Sequence, residues 1–184
     1  MTVMLAVMFS SIAQADDTTL LLGGRAVAEV WQDPNIATVY RSAGLGVEGA
    51  FSWRPHSWLS LDGDAGVIRM TGEAEQAIEL IPMSLGVFAR SQREDSELFF
   101  GVGAALVPFS DQGIAVITGS KLGLDVQMGV RLATDLINPS LSSTSPVQRA
   151  DWEITVGRRQ HMTGEIPGLD LSAWRIGVGL VVRL

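Results

Sequence analysis

Residues 174–184 read Trp-Arg-Ile-Gly-Val-Gly-Leu-Val-Val-Arg-Leu, in which large apolar residues alternate with arginine, glycine and valine. Successive side chains of a β-strand point to opposite faces, so this stretch has one apolar face and one face of mostly glycine and charge. A tilted strand needs roughly 9–11 residues to cross the hydrocarbon of a bilayer. The length and the alternation therefore predict a membrane-spanning strand.

The same two-faced pattern recurs along the chain. In residues 121–132 every even position holds leucine, valine or methionine, and the odd positions hold lysine, arginine, glycine, aspartate and glutamine. Eight such segments predict an all-β fold, an eight-stranded antiparallel up-and-down transmembrane β-barrel. We predict the strands at residues 20–31, 41–54, 57–69, 78–90, 97–109, 120–133, 151–160 and 173–184.

The first fifteen residues differ from the rest. Residues 3–12 are almost entirely apolar, and Ala13 and Ala15 supply small side chains at the two positions that a signal peptidase reads. The apolar run is too short for a transmembrane helix, and no basic residue precedes it. We therefore interpret residues 1–15 as a signal peptide and residues 16–184 as one outer-membrane β-barrel domain.

An even number of strands places both termini of such a barrel on the periplasmic side. The connections that follow even-numbered strands are then periplasmic turns, and the others are outer loops. Turns are predicted at residues 55–57, 91–96 and, with unusual length, 134–150, and outer loops at residues 32–40, 70–77, 110–119 and 161–172.

Tryptophan falls near both sets of predicted strand ends. Trp53, Trp58 and Trp152 lie at periplasmic ends, whereas Trp31 and Trp174 lie at outer ends. Indole rings prefer the interface between membrane and water. The placement therefore predicts two aromatic girdles.

The polar face is rich in arginine, because only one of the 13 basic residues is a lysine. Arginine is the residue preferred in enclosed ion pairs. We therefore expect the charged face to line the interior, where eight strands leave room for side chains but not for an aqueous channel. A soluble lipocalin-like ligand-binding barrel, with its apolar face inward, is an alternative. The predicted interior charges are Arg25, Arg90, Arg131, Arg159, Arg175, Arg183, Glu29, Glu48, Asp62, Asp64, Asp125 and Glu153.

Composition argues against several kinds of function. The absence of cysteine excludes disulfides and thiolate metal sites, and 2 histidines are too few for a histidine-rich metal site. The formal net charge of −7 argues against a nucleic-acid partner, which needs a basic face. We expect no metal, no cofactor and a monomer that meets outer-membrane lipid and lipopolysaccharide, with an unidentified extracellular ligand left open.

The final strand resembles the C-terminal signal by which outer-membrane barrels are assembled, although Leu184 stands where that signal has an aromatic residue. Over nearly all of residues 16–184 the chain resembles the eight-stranded outer-membrane barrels. The resemblance implies location in the outer membrane. It favours a small non-porin barrel with a charged, side-chain-filled interior, which contacts lipopolysaccharide or an external partner through its outer loops.

Residues 158–170 resemble the active-site stretch of the lipid A 3-O-deacylase family, eight-stranded barrels in which a histidine is followed two residues later by a serine nucleophile. By this resemblance His161 is the general base and Thr163 replaces the serine. Asp170, or second to it Glu165, orients the histidine. Strict alternation, however, places His161 on the interior face. The resemblance nevertheless makes an ester hydrolase that acts on lipopolysaccharide an alternative function.

Three arginines fall on the outward register near predicted outer strand ends: Arg41, Arg69 and Arg158. A charge costs little at the headgroup level of a membrane, and a guanidinium binds phosphate well. We therefore predict that these arginines bind lipid phosphate.

Overall fold

The computed structural model describes residues 19–40, 43–72, 76–93, 95–112, 116–133, 150–164 and 170–184. The predicted signal peptide, Arg41, Glu165 and residues 134–149 of the long connection lie outside these ranges. The elements are β1 (Thr19–Trp31), α1 (Pro34–Tyr40), β2 (Ala43–His56), β3 (Leu59–Thr71), β4 (Ala77–Leu80), β5 (Met83–Gln92), β6 (Ser96–Gln112), β7 (Val116–Ala133), β8 (Ala150–Gly164) and β9 (Ala173–Arg183).

The strands form a closed antiparallel barrel. Neighbours in sequence pair with one another, and β9 pairs with β1 from Arg183 opposite Leu21 to Ala173 opposite Trp31. Strands β4 and β5 both pair with β3 and with β6, so together they make one wall strand. The wall therefore has eight strands, and the predicted fold is confirmed.

The break between β4 and β5 falls at Pro82, which has no N–H to donate to a ladder. Its carbonyl still accepts a hydrogen bond from the Gly66 N–H at 3.0 Å. The neighbouring Ile81 N–H donates to the Pro108 carbonyl at 2.9 Å. The wall is thus hydrogen-bonded on both sides of the proline.

The barrel has two distinct ends. The α1 end carries α1 and the connections β3–β4, β6–β7 and β8–β9. The opposite end, here called the terminal end, carries the first residues of β1, the last residues of β9 and the turn between β2 and β3. The predicted loop 110–119 is largely wrong, because β6 and β7 continue through it to the pair Gln112–Val116. The predicted loop 32–40 is mostly the helix α1.

Helix α1 begins at Pro34, whose fixed backbone angle suits the first position of a helix. Ile36 and Tyr40 are four residues apart, lie on one face of the helix and are both buried. No described helix is long and apolar enough to cross a bilayer, and α1 has only 7 residues. The helix instead packs its apolar face onto the mouth of the barrel.

The outer face of the wall is apolar and exposed. Leu45 is 71% exposed and Val47 is 66% exposed, far above what a protein in water tolerates over a continuous surface. Hydrocarbon is the environment that suits such a belt, so the soluble lipocalin-like alternative is wrong. Other exposed members include Leu85, Val87, Leu98, Phe100, Val102, Leu122, Leu124, Val126, Met128, Ile154, Val156, Ile176 and Val178.

At the α1 end most of the described interior side chains are apolar, although Lys121 and the pair of Glu29 and Arg159 are buried beside them. Trp31, predicted for the outer girdle, is only 5% exposed and belongs to this interior cluster, because it lies on the same interior register of β1 as Arg25 and Glu29. Trp174 does face outward, with 48% of its surface exposed. We call this cluster the apolar cap; its members are Val27, Trp31, Ile36, Tyr40, Ile68, Met70, Ile78, Leu80, Val107, Phe109, Leu171 and Ala173.

Candidate functional site

Two arginines in the middle of the barrel share two carboxylates. Arg25 Nε lies 2.8 Å from Glu48 Oε2, and Arg25 Nη2 lies 2.5 Å from Asp64 Oδ2. Arg175 Nη2 reaches the same two oxygens at 2.8 and 3.3 Å, and its Nη1 lies 3.0 Å from Asp125 Oδ2. Removing charges from water costs several kcal/mol per ion, so such a cluster is stable only because opposite charges face one another.

A second cluster lies nearer the terminal end. Glu97 pairs with Arg90 and with Arg131, whose Nη1 is 3.2 Å from Glu97 Oε1. Arg131 Nε also lies 2.5 Å from Glu153 Oε2, and Glu153 Oε1 is 3.3 Å from Arg25 Nη1. Glu153 therefore joins the two clusters into one arrangement, which we call the ionic network.

Aromatic rings fill the space beside the second cluster. The guanidinium carbons of Arg90 and Arg131 lie 5.2 and 5.1 Å from the centre of the Phe99 ring, within range of a cation–π attraction. Phe99 has this room because Gly129 is its ladder partner, where an added Cβ would stand 2.3 Å from the ring. A cavity among the described interior side chains beside Phe99 has about 20 Å³, roughly the space of one water molecule.

Most predicted interior charges are in the ionic network, and Arg159 makes a further buried pair, with its Nη1 2.7 Å from Glu29 Oε1. Arg183 is the exception: it is exposed at the terminal end of the barrel, where β9 ends. Sequence reasoning missed Glu97, and it did not assign Arg54 or Lys121 to the interior, although all three are buried there. The alternation of the predicted strands carried this signal, since each residue lies on the interior register.

The predicted catalytic histidine lies on the interior register of β8, opposite Gly123 of β7. The His161 backbone N–H donates to Ser172 Oγ at 3.1 Å, and the Ser172 N–H donates to Asp170 Oδ1 at 2.9 Å. The structure thus brings His161 and Asp170 to the same end of the barrel through Ser172. Neither ring nitrogen of His161 makes a hydrogen bond to a described side chain.

A β-bulge separates His161 from Thr163. The register skips Met162, so Thr163 pairs with Leu122 while His161 pairs with Gly123. Leu122 is exposed on the outer face, whereas the residue that follows it along β7 is on the interior register. The regular alternation between the two faces of β8 is therefore interrupted between positions 161 and 163.

Two of the three arginines predicted to bind phosphate are described by the structure. Arg69 is exposed and Arg158 is partly exposed. Arg69 lies opposite Glu79 in the ladder, so an acidic residue is its cross-strand neighbour. Arg158 lies with its guanidinium carbon 5.5 Å from the Trp174 ring centre, and its Nη2 donates to Gln32 Oε1 at 3.2 Å. Gln32 follows the last residue of β1, so this contact fixes Arg158 at the α1 end.

The sequence matches no known family model and no curated protein. Solved structures do match its fold. Neisserial surface protein A is 11% identical, with a TM-score of 0.60 over 92% of this chain and 99% of that one. OprG from Pseudomonas aeruginosa is 10% identical, with a TM-score of 0.57 over 91% and 96% of the two chains.

The outer membrane enzyme PagL is 12% identical, with a TM-score of 0.50 over 87% of this chain and 98% of that one. At these identities the likeness shows the fold alone. The chain therefore has the fold of the small eight-stranded outer-membrane barrels, which confirms that resemblance. The predicted catalytic and phosphate-binding residues stay predictions.

Proposed function

We propose that this protein is a small non-porin barrel of the outer membrane that binds lipopolysaccharide at its α1 end. The exposed apolar belt supports a membrane location, and the fold of the similar structures supports the outer membrane. In this proposal the α1 end faces the outer leaflet, where lipopolysaccharide lies, and the terminal end faces the periplasm.

The filled interior supports a role other than transport. The ionic network fills the barrel from the terminal end to its middle and the apolar cap lies at the α1 end, and a cavity among the charged side chains has about 20 Å³. A continuous aqueous channel needs a wider barrel. The wall of the barrel and its α1 end are therefore the surfaces on which we place its function.

Arg158 is the observation that carries the proposal. Unlike the arginines of the ionic network, it makes no ion pair with any carboxylate in the described ranges of the chain. It is held in place by Trp174 and Gln32 at the rim of the apolar belt. A fixed guanidinium at that level suits a lipid phosphate, with which it can form paired, charge-assisted hydrogen bonds.

The test is lipopolysaccharide affinity of the purified barrel. The triple Arg→Ala variant at positions 41, 69 and 158 should bind at least about tenfold more weakly, since the loss of even one hydrogen bond to a charged group costs about 1.5–3 kcal/mol and about 1.4 kcal/mol is a factor of ten. Arg93→Ala is the matched control, because Arg93 is exposed at the terminal end. Equal affinity of the triple variant and the control would refute the proposal.

Location is tested separately. Partition of the protein into the outer-membrane fraction, together with heat-modifiable mobility in gel electrophoresis, is expected. Recovery in the soluble periplasmic fraction would contradict the membrane assignment and the lipid proposal with it.

The ester hydrolase alternative has support only in the common location of His161, Ser172 and Asp170. The position of His161 on the interior register argues against its access to a lipid ester. We expect mass spectrometry to find the same lipid A acylation in cells with and without the protein. Loss of one acyl chain that His161→Ala abolishes would establish the hydrolase instead.

A further inference from the structure

The outer wall carries a groove that crosses strands β5 to β9. Two depressions, of about 540 and 360 Å³, share the exposed side chains of Phe100, Met128 and Val156, so they form one continuous surface feature. Both volumes fall in the range of roughly 300–1,000 Å³ that ligand pockets have. We call this feature the wall groove.

The two ends of the wall groove differ in chemistry. Towards the terminal end it is lined by apolar side chains, among them Leu98 and Ile154. Towards the α1 end it is lined by Arg158, Gln160 and Trp174. The wall groove therefore has a cationic end near α1, and the rest of it is apolar.

The dimensions of the groove match one membrane leaflet. From Gln160 to Ile154 the chain of β8 advances six residues, or about 20 Å at roughly 3.3 Å per residue. Tilt of the strand shortens this along the membrane normal, and half of a hydrocarbon core of about 30 Å is about 15 Å. A groove of this length accommodates one alkyl chain whose head remains at the interface.

Charge decides which lipid suits the groove. Arg158 has no carboxylate partner in the described part of the chain, whereas Arg69 faces Glu79 across the ladder. Because lipid tails are as apolar as leucine, burying a chain in the groove gains packing contacts but little hydrophobic free energy. Preference for one lipid over the other lipids of the membrane must therefore come from the cationic end of the groove together with the shape of its apolar part.

From this geometry we infer that the wall groove binds one acyl chain of a lipid A molecule whose phosphate lies against Arg158. The inference rests on the proposed function and adds the site for the chain. Trp174 packs against the Arg158 guanidinium beside the apolar part of the groove, and Gln160 supplies an amide at the headgroup level. Met128 is unbranched and adapts its shape to a flexible chain.

Groove-filling variants test the inference. Val156→Trp places a large side chain in the middle of the groove and leaves Arg158 in place. Val47→Trp is the matched control, because Val47 is equally apolar and outward-facing but lies on β2, outside the groove. Met128→Trp serves as a second filling variant, and heat-modifiable mobility verifies that each barrel is folded.

Binding of diphosphoryl lipid A is measured by native mass spectrometry of barrels in nanodiscs, with phosphatidylglycerol as the comparison lipid. We expect both filling variants to bind lipid A at least fivefold more weakly, and Val47→Trp to bind as the unaltered protein does. Unaltered binding by both filling variants overturns the inference. Equal retention of phosphatidylglycerol overturns lipid A as the occupant.

The Arg158→Ala variant separates this inference from the proposed function. If Arg158→Ala weakens binding while both filling variants bind normally, the groove is wrong and the lipopolysaccharide function stands. If none of these variants changes binding, both are wrong. Weaker binding in Arg158→Ala and in both filling variants supports the two together.

Discussion

The two halves of the barrel interior are filled by opposite kinds of side chain. From the terminal end to the middle, arginines and carboxylates form the ionic network, whereas the α1 end holds the apolar cap. The wall around both is the same antiparallel ladder. An eight-stranded wall therefore does not dictate the chemistry of its filling.

The ionic network and the apolar cap have different structural requirements. A buried charge must face a partner in good geometry, because an unpaired one is strongly destabilising. An apolar filling needs mainly the right volume and tolerates exchange between similar side chains. This tolerance allows a separate element, α1, to dock on the mouth mainly through apolar contacts, to which the Tyr40 hydroxyl adds one hydrogen bond to Asp111.

The largest effect is expected from Arg175→Ala in the ionic network. The change leaves Glu48, Asp64 and Asp125 without one of their cations, and should lower the free energy of unfolding by about 3–5 kcal/mol. Ile176→Ala, at the adjacent lipid-facing position, is the control and should cost less than about 1 kcal/mol. Urea titration of the barrel in detergent measures both, and equal costs would contradict the buried network.

A smaller loss is expected from Leu80→Ala in the apolar cap. Leu80 is fully buried, and truncating such a side chain costs roughly 2–4 kcal/mol through lost contacts and a residual cavity. Leu80→Met nearly conserves the volume and should cost less than about 1.5 kcal/mol. If Leu80→Met lowered the free energy of unfolding as much as Leu80→Ala does, the apolar cap would not tolerate exchange between similar side chains, and its contrast with the ionic network would be refuted.

The pair of Glu29 and Arg159 gives a sharper measure of the ionic filling. Each single change, Glu29→Leu or Arg159→Met, leaves a buried charge unpaired, whereas the double variant removes both charges. The double variant should therefore be more stable than the sum of the single losses predicts, by about 1–3 kcal/mol. Additive losses in a double-mutant cycle would indicate that the two groups do not interact.

The smallest effect is expected at the edge of the apolar cap. Burial, with the hydrogen bond and charge of Asp111, raises the pKa of the Tyr40 phenol above its usual value. The folded protein then holds this proton more tightly than the unfolded chain does. The stability contributed by Tyr40 is therefore complete below about pH 10, the unfolded pKa, and falls as the pH rises above it.

The Tyr40→Phe variant checks this linkage. It should lose about 1 kcal/mol at neutral pH, because the hydrogen bond to Asp111 is removed. Above pH 10 the difference from the unaltered protein should narrow, since phenylalanine cannot ionise. A constant difference from pH 7 to pH 11 would show that the phenol has its ordinary pKa.

Several features of the interior were predictable from the chain. Residues such as Arg25 and Asp125 lie on the polar register of an alternating strand, and both are buried. The apolar cap was not predicted, although Ile68 and Val107 lie on the same interior register as the charges. Alternation reports which face a residue is on, but it does not report how far along the barrel that residue lies.

The candidate site was predicted less completely. Arg158 was selected from its outward register, and its contacts with Trp174 and Gln32 come from two other segments of the chain. The bulge at Met162 lies in the last residues of β8, beyond the predicted strand end at residue 160 and within the predicted outer loop 161–172. Only the pairing with β7 reveals that the register changes there.

The sequence by itself determined the alternating strands and the separation of charged from apolar residues onto opposite faces, because a period of two residues is a local property. It predicted from the predominance of arginine that the charged face points inward, and the structure decided this point. Tertiary structure decided which charges pair, such as Arg175 with three carboxylates from three other strands. It also placed α1 over the apolar cap and Arg158 beside the wall groove. These features depend on the stagger of strands distant in sequence, which is set only when the barrel closes.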